Sequence, residues 1–509
     1  MNSDLVGALK KSFHLPGFRK GQREIIESLL NNKDALAVMP TGGGKSLCYQ
    51  LPALLRPGIV VVISPLIALM ENQVQRLRSL GISAVFLHSG QSVADKRLVF
   101  SVLKRAESSI LYLSPERVQK DGFRNWITAQ KVSLFAIDEA HCVSQWGPDF
   151  REDYYKLGGL RELLPEVPIV ALTASATPEV LEDIIRQLQL RKPDRHIHGF
   201  YRPNLYYQVE LCSDEGIKIA IARQAISQNP EGRILIYCGT RKQTETVSGF
   251  LSEHFGKAAF YHAGMSSEDR TCVQTQYQKG EIRILAATNA FGMGIDHPDV
   301  RLVVHFQMPA NVEHYYQEMG RAGRDGKPSA CLLLYSKKDK GLHSYFITQS
   351  NADKNTIRRR WSALEAIVQF AEGGECRHSG ILTYFRDSFR LKDCGHCDVC
   401  DPSDFRHVQK PKFEVASLPK IKKKETKEIL DVELTAEEEI RFEMLREWRK
   451  VYATENDIAP FMVFSNKTLK DLVRRNPKTL EELSKVYGFG PHKTEYIGPT
   501  VLARLQACD

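Results

Sequence analysis

Short apolar runs of four to six residues recur along the first two thirds of the chain, each separated from the next by a longer amphipathic stretch. Residues 35–39, 59–63, 109–113, 134–137 and 169–172 make a first set, and 234–237, 282–286, 302–305 and 330–335 make a second. Continuous apolar runs suit strands buried on both faces, and the amphipathic stretches supply crossover helices, so each set predicts a parallel α/β sheet. Between the sets, residues 191–204 carry Pro193, Gly199 and Pro203 without a clear period. That places a boundary between two related lobes, 1–203 and 204–340. Beyond Tyr335 the pattern changes. Residues 341–402 read as helices followed by clustered cysteines. Residues 403–432 are polar, with Lys410, Lys412, Lys420, Lys422, Lys423, Lys424 and Lys427, and read as a solvated linker. Helical periodicity returns over 433–509.

Composition narrows the classes. A chain of 509 residues is too long for one core and suggests three or four domains. Its 42% hydrophobic and 26% charged residues are ordinary for a globular protein, and a net charge of +9 favours a polyanionic partner. No apolar run approaches the ~20 residues of a membrane span. The start, Met-Asn-Ser-Asp-Leu, lacks the basic head and apolar stretch of a secretion signal. Eleven cysteines, seven scattered and four clustered, fit a reducing compartment with one metal site better than a disulfide framework. A cytoplasmic protein, nucleoid-associated if bacterial, is expected.

Two motifs carry the chemistry. Residues 39–46 read Met-Pro-Thr-Gly-Gly-Gly-Lys-Ser, and 138–141 read Asp-Glu-Ala-His after the run Leu134-Phe135-Ala136-Ile137. Glycines let backbone N–H groups close around phosphates, Lys45 reaches the β- and γ-phosphates, and the Ser46 hydroxyl can sit on Mg²⁺. Asp138 is the expected Mg²⁺ ligand, and Glu139 the group that orients or deprotonates the attacking water. Met39 replaces the first glycine of the phosphate-loop pattern. In the second lobe, residues 315–326 read Tyr-Tyr-Gln-Glu-Met-Gly-Arg-Ala-Gly-Arg-Asp-Gly. Arg321 and Arg324 there can present planar guanidinium forks to a γ-phosphate, provided the segment faces the phosphate loop across a cleft. Trp146, Phe150 and Arg151, close after the catalytic acids, suit base stacking and phosphate gripping. Cys376, Cys394, Cys397 and Cys400 offer four thiolates for a closed tetrahedral Zn²⁺ site, although Cys-x₂-Cys-x₂-Cys also occurs at iron–sulfur clusters.

In this order the motifs resemble those of RecQ-family DNA helicases of superfamily two. The matching segments are Phe18-Arg19-x-x-Gln22, Thr41 to Ser46, Ser64-Pro65-Leu66, Ser114-Pro115-Glu116-Arg117, Asp138 to His141 and Leu172 to Thr177. They continue with His262-Ala263-Gly264, Thr288 to Asp296 and Gln317 to Gly326. The resemblance implies two RecA-like lobes, a zinc module at the four cysteines and a small all-helical domain of the helicase-and-RNase-D C-terminal (HRDC) type. It implies that ATP is held by Arg19, Gln22, Met39, Pro40, Thr41, Gly42, Gly43, Gly44, Lys45, Ser46 and Asp138, with Arg19 and Gln22 on adenine. It further implies arginine fingers at Arg321 and Arg324, 3′-to-5′ movement, and a role in DNA recombination, replication and repair. Pro148 departs from the histidine common in relatives. In the last domain, Gly488-Phe489-Gly490 flanked by Lys485, His492 and Lys493 suggests auxiliary single-strand binding through phosphate, with a protein-contact module as the alternative. The expected partners are single-stranded and forked DNA, acted on by a monomer. RecQ relatives commonly insert a winged-helix domain after the zinc module. The stretch from Asp401 to Val432 is too short and too polar to bury such a core, so that domain is expected to be missing. A single-strand translocase or annealing factor with weak unwinding is the alternative.

Overall fold

The computed structural model describes residues 4–144, 151–197, 199–291, 297–350, 353–410, 434–455, 463–464, 466–489 and 491–506. Lobe one is built on a seven-stranded sheet of β1 (Ala35–Val38), β2 (Gly58–Ile63), β3 (Ala84–Leu87), β4 (Ser108–Leu113), β5 (Val132–Ile137), β6 (Ile169–Thr173) and β7 (Asp194–Ile197). The strands lie in the order β3-β4-β2-β5-β6-β1-β7, every pair parallel. Lobe two has six: β8 (Leu205–Leu211), β9 (Arg233–Tyr237), β10 (Ala258–Tyr261), β11 (Ile284–Ala287), β12 (Val300–His305) and β13 (Ser329–Tyr335). Their order is β10-β11-β9-β12-β13-β8, again all parallel. The two-lobe α/β expectation holds.

The central strands are the ones with apolar runs. β1 and β2 are buried at every position because helices cover both faces. Four strands, β3, β7, β8 and β10, lie outside the runs listed from the sequence. β7 lies inside the segment 191–204 that shows no periodicity; it is an edge strand whose Asp194 is held by Ser28 (2.8 Å) and Lys33 (3.3 Å). Charge on an edge blunts further strand pairing. β3 and β10 are short apolar runs at the edges of their sheets, β10 half-exposed along its length. β8 interleaves Gln208 and Glu210 with apolar residues yet is buried over six positions, because the zinc module covers it.

Helices Lys337–Thr348 and Lys354–Glu372 form a hairpin leading into the cysteines. The second of these starts where the Asp353 carboxylate accepts from the N–H groups of Asn355 (2.9 Å) and Thr356 (3.1 Å). Residues 401–410, the described part of the lysine-rich stretch, run along β8. There Gln208 exchanges hydrogen bonds with Val408 (2.8 Å each way), Tyr206 donates to the Asp401 carbonyl (3.0 Å), and Lys410 pairs with Glu210 (2.9 Å). The expected linker from 411 to 432 lies outside the described residues.

The terminal domain comprises helices Ala436–Glu455, Asn466–Arg475, Leu480–Leu483, Pro491–Tyr496 and Gly498–Gln506, around Leu445, Phe464, Leu472, Leu483, Val501 and Leu505. It is docked on the zinc module. Arg449 reaches Glu375 (3.0 Å), Lys493 reaches Glu365 (3.6 Å), and the Tyr487 hydroxyl donates to Glu372.

Candidate active site

The phosphate loop leaves the carboxyl end of β1 and enters helix Leu47–Leu55. Met39, in place of the first glycine, is a core residue, buried with its sulfur 3.8 Å from that of Cys48. Gly42 and Gly44 take φ of +81° and +79°, a region L side chains avoid. Space enforces the same choice. A Cβ on Gly44 would fall 2.4 Å from Gln22 Nε2, and one on Gly42 would fall 3.2 Å from Arg324 Cγ. The first contact belongs to lobe one. Gln22 donates to the carbonyls of Gly43 (3.2 Å) and Gly44 (3.0 Å), and Arg19 donates to that of Gly42. The second contact crosses the cleft, so Arg324 of lobe two lies directly over the phosphate loop. Gly320 comes equally close to Thr41, where a Cβ would meet the Thr41 side chain at 3.3 Å.

The acidic pair sits at the carboxyl end of β5, where the Asp138 N–H donates to the Ile63 carbonyl of β2 (2.9 Å). Burial, and then the adjacent Glu139 carboxylate, push the Asp138 carboxyl up to about 7, with Lys45 pulling the other way. A carboxylate so buried, within the field of Lys45, is an oxygen donor suited to Mg²⁺. Glu139 adopts φ +49° and lies 3.4 Å from His141 Nδ1, which is also 3.0 Å from Thr173 Oγ1. Thr173 donates to the Ser175 carbonyl (3.0 Å), and the Ser175 hydroxyl accepts from Gln317 Nε2 of lobe two (3.0 Å). A continuous polar chain therefore joins Glu139 to the helix that precedes the two arginines. Arg321 stands beside the Tyr237 hydroxyl, and the Tyr237 ring stacks on His305, whose Nε2 is 2.9 Å from Glu318.

Residues 41–46, 138, 139, 321 and 324 thus converge on one cleft, with Arg19 and Gln22 on the phosphate loop itself. Of the three expected DNA contacts, Trp146 and Phe150 lie outside the described residues, as does Pro148. Arg151 is described, and it donates to the Pro65 carbonyl (3.2 Å). His141, Thr173, Ser175 and Gln317 were visible only as members of quoted motifs. Arg202, which donates to the Thr41 carbonyl (3.2 Å), had no signal beyond its place in the connector.

The Sγ atoms of Cys376, Cys394, Cys397 and Cys400 all lie within 4.8 Å of one another. Hydrogen bonds from the Cys376 and Cys394 thiols hold the Cys397 thiol below its ordinary range, while those two thiols are themselves pushed up. The knuckle is locked onto β8. Cys397 bridges Tyr207, the Asp398 N–H donates to the Tyr207 carbonyl (3.0 Å), and the Asp398 carboxylate accepts from the Val209 N–H (2.9 Å) and from both ends of the buried Arg377 fork (2.9 and 3.0 Å).

Two parallel-sheet lobes that close a phosphate loop against a pair of arginines define the class of two-lobed helicases. The chain matches the DEAD/DEAH box helicase family over 19–184 and the helicase conserved C-terminal domain over 217–326. It matches the RecQ zinc-binding family over 337–401, which makes the four cysteines a zinc site, and the HRDC domain over 438–505. The ATP-dependent DNA helicase RecQ of Haemophilus influenzae is 43% identical over 401 residues, covering 78% of this chain and 64% of that protein. The probable ATP-dependent DNA helicase RecS of Bacillus subtilis is 43% identical over 355 residues, covering 69% of this chain and 71% of its own length. The chain belongs to the RecQ family of helicases. It spans less than two thirds of the Haemophilus relative and of the RecQ helicase of Pasteurella multocida, of which it covers 62%. Among solved structures, the Mycobacterium smegmatis helicase Lhr bound to ssDNA and AMP-PNP is similar with TM-score 0.54 and 18% identity, over 72% of this chain and 57% of that one. Yeast Dbp5 bound to RNA and ADP BeF3 is similar with TM-score 0.54 and 17% identity, over 72% of this chain and 98% of its own. These two share the fold.

Proposed function

We propose that this chain is an ATP-dependent DNA helicase of RecQ type that moves 3′ to 5′ along single-stranded DNA and acts on forked substrates in recombination, replication and repair. The observation that carries the reading is Arg324 packed over Gly42, which makes the nucleotide site a joint property of both lobes. Lys45 and the backbone of residues 41–46 hold the phosphates, while Arg19 and Gln22 extend the site toward adenine. Asp138 with Ser46 would hold Mg²⁺, which neutralises charge on the phosphate oxygens. Glu139 orients the attacking water, and Arg321 and Arg324 stabilise the charge that develops on the transferred phosphoryl group. Loss of the γ-phosphate weakens the arginine contacts and lets the lobes part, so each turnover is one opening and closing of the cleft. Trp146, Phe150 and Arg151 are the proposed contacts that report DNA occupancy to the acids. Among the described residues no helix is long and apolar enough to cross a membrane, and the reading is of a monomeric enzyme that works on DNA in the cytoplasm or nucleoid.

A second reading, a single-strand translocase with weak strand separation, is favoured by the short distance between the zinc-binding match, ending at 401, and the HRDC match, beginning at 438. The two are separated by measuring displacement of a labelled strand from forked duplexes with 3′ or 5′ tails, with and without ATP, alongside ATP turnover on DNA and on RNA. ATP-dependent displacement from 3′-tailed forks supports the helicase. DNA-stimulated turnover with no displacement supports the translocase, and turnover stimulated only by RNA overturns both.

A further inference from the structure

The connector between the lobes carries one side chain that touches both halves of the nucleotide site. Arg202 donates from one guanidinium nitrogen to the carbonyls of Thr41 (3.2 Å) and Gly320 (3.4 Å), and from the other to those of Ala322 (3.0 Å) and Gly323 (3.2 Å). Thr41 belongs to the phosphate loop; the other three flank Arg321 and lead to Arg324. Asn204, two residues on, donates to the Gly323 carbonyl (2.8 Å) and the Lys327 carbonyl (3.0 Å). The arginine loop therefore hangs from the connector. The connector is itself gripped from behind by the zinc module. The Phe200 N–H donates to Asp387 (2.7 Å), the Phe200 ring stacks on Phe385 with centroids 4.3 Å apart, and the Tyr201 hydroxyl is 2.9 Å from His396 Nε2. Three consecutive residues thus lead from the zinc knuckle to the phosphate loop.

We infer that Arg202 is a positioning residue for ATP hydrolysis, holding the loop that bears Arg321 and Arg324 against the phosphate loop from a base fixed by the zinc module. The role suits arginine, because only a planar fork with five N–H donors can serve carbonyls on both sides at once. Without it the arginine loop loses its registration on Thr41. A displacement near 1 Å of a transition-state group is enough to cost about 100-fold in rate. Lys45, Gln22 and the loop glycines, which bind the ground-state nucleotide, are untouched.

The inference rests on the reading that ATP is hydrolysed between the lobes, and the experiment tests the two separately. DNA-stimulated turnover by the wild-type chain, abolished in Lys45→Ala, establishes that reading; no turnover by the wild type overturns the reading itself. Given turnover, Arg202→Ala is expected to lower kcat about 100-fold, with the KM for ATP and the Kd for a fluorescent ATP analogue each changed less than about threefold, since only transition-state contacts are lost. Arg202→Lys, which keeps the charge and reaches fewer carbonyls, should fall between the two. Combining Arg202→Ala with Arg324→Ala should cost less than the product of the two single losses, because Arg202 acts in part through that arginine, whereas a general structural defect would add its full loss. Normal kcat in Arg202→Ala overturns the inference. So does a loss fully additive with that of Arg324→Ala, or a drop in nucleotide affinity matching the drop in kcat. Where Arg202→Ala does not fold, the same measurements on Arg202→Lys decide, and wild-type kcat in that variant overturns it.

Discussion

In the proposed mechanism Lys45 and Glu139 act on one nucleotide at different moments, so their removal should look different. Lys45→Ala takes a cation from the phosphates in the ground state and is expected to lose both ATP affinity and turnover. Glu139→Gln keeps size and hydrogen bonding but cannot accept a proton, and is expected to bind ATP normally while hydrolysing it about 10²–10⁴-fold more slowly. Nucleotide binding measured beside steady-state turnover distinguishes the pair, and normal turnover in Glu139→Gln would remove that residue from its role. Arg324→Ala and Arg321→Ala act later still. Each should cut hydrolysis by about 10³ or more, with single-strand affinity retained, as read by fluorescence anisotropy. Arg324 carries the sharper expectation, because its side chain already lies within contact of Gly42, whereas Arg321 stands beside Tyr237, one layer back.

At the level of elements, the zinc module works as an edge cover. β8 ends lobe two's sheet, and the knuckle supplies the bridge from Tyr207 to Cys397 that occupies its free side. Purified protein should therefore contain one zinc per chain. Cys397→Ser should lose the metal and lower the midpoint of unfolding by roughly 5 °C or more, since the energy of a structural zinc site is largely folding energy. Retained zinc with an unchanged midpoint would break the link. The same contacts explain what was legible beforehand. Apolar runs announced the central strands, and the cysteine spacing announced the metal, since both signals are local in sequence. β7 and β8 escaped because their polar positions are satisfied by distant groups: Ser28 and Lys33 for Asp194, Val408 and Lys410 for Gln208 and Glu210. Arg202 escaped for the same reason, its four acceptors all being backbone carbonyls that no motif marks. The terminal domain pairs one of its lysines within the chain. Lys493, one of the residues flanking the segment 488–490, is half-buried against Glu365 with Lys340 nearby, and desolvation pulls its ammonium down to about 8. An undocked Lys493 at its ordinary value holds more protons than the docked one, so docking releases a proton and should strengthen as pH rises from about 8 toward 10. Energy transfer between labels on the two units, measured in mild urea, should show the docked fraction rising over that window. Lys493→Met should flatten the dependence.

The whole molecule joins a complete motor to a short route toward its last domain. Both lobes, the composite nucleotide site and the zinc module are contiguous through residue 401, and the HRDC match resumes at 438. A winged-helix domain between them would need a core of its own, and no segment of that length and lysine content can bury one. Residues 401–410 are moreover already committed to β8, which shortens the free span further. In the proposed function the duplex would be met by the lobes and the zinc module. Movement along a single strand needs only the cleft between the lobes, so single-stranded DNA should stimulate ATP turnover strongly. Strand separation needs a wedge as well, and should be slow on forked duplex and absent on blunt duplex. The terminal domain cannot make up the difference while Lys493, Arg449 and Tyr487 hold it to Glu365, Glu375 and Glu372. Raising salt from 50 to 200 mM weakens binding in proportion to the phosphates contacted, so duplex affinity, resting on few such contacts, should be weak already at low salt and fall with a shallower slope than single-strand affinity. Titrations of labelled single-stranded, forked and blunt DNA across that range, paired with ATP turnover and strand displacement, measure each of these quantities. Rapid ATP-dependent opening of blunt duplex would show that a wedge exists within the lobes or the zinc module, and that the missing domain is not needed for this chain to unwind.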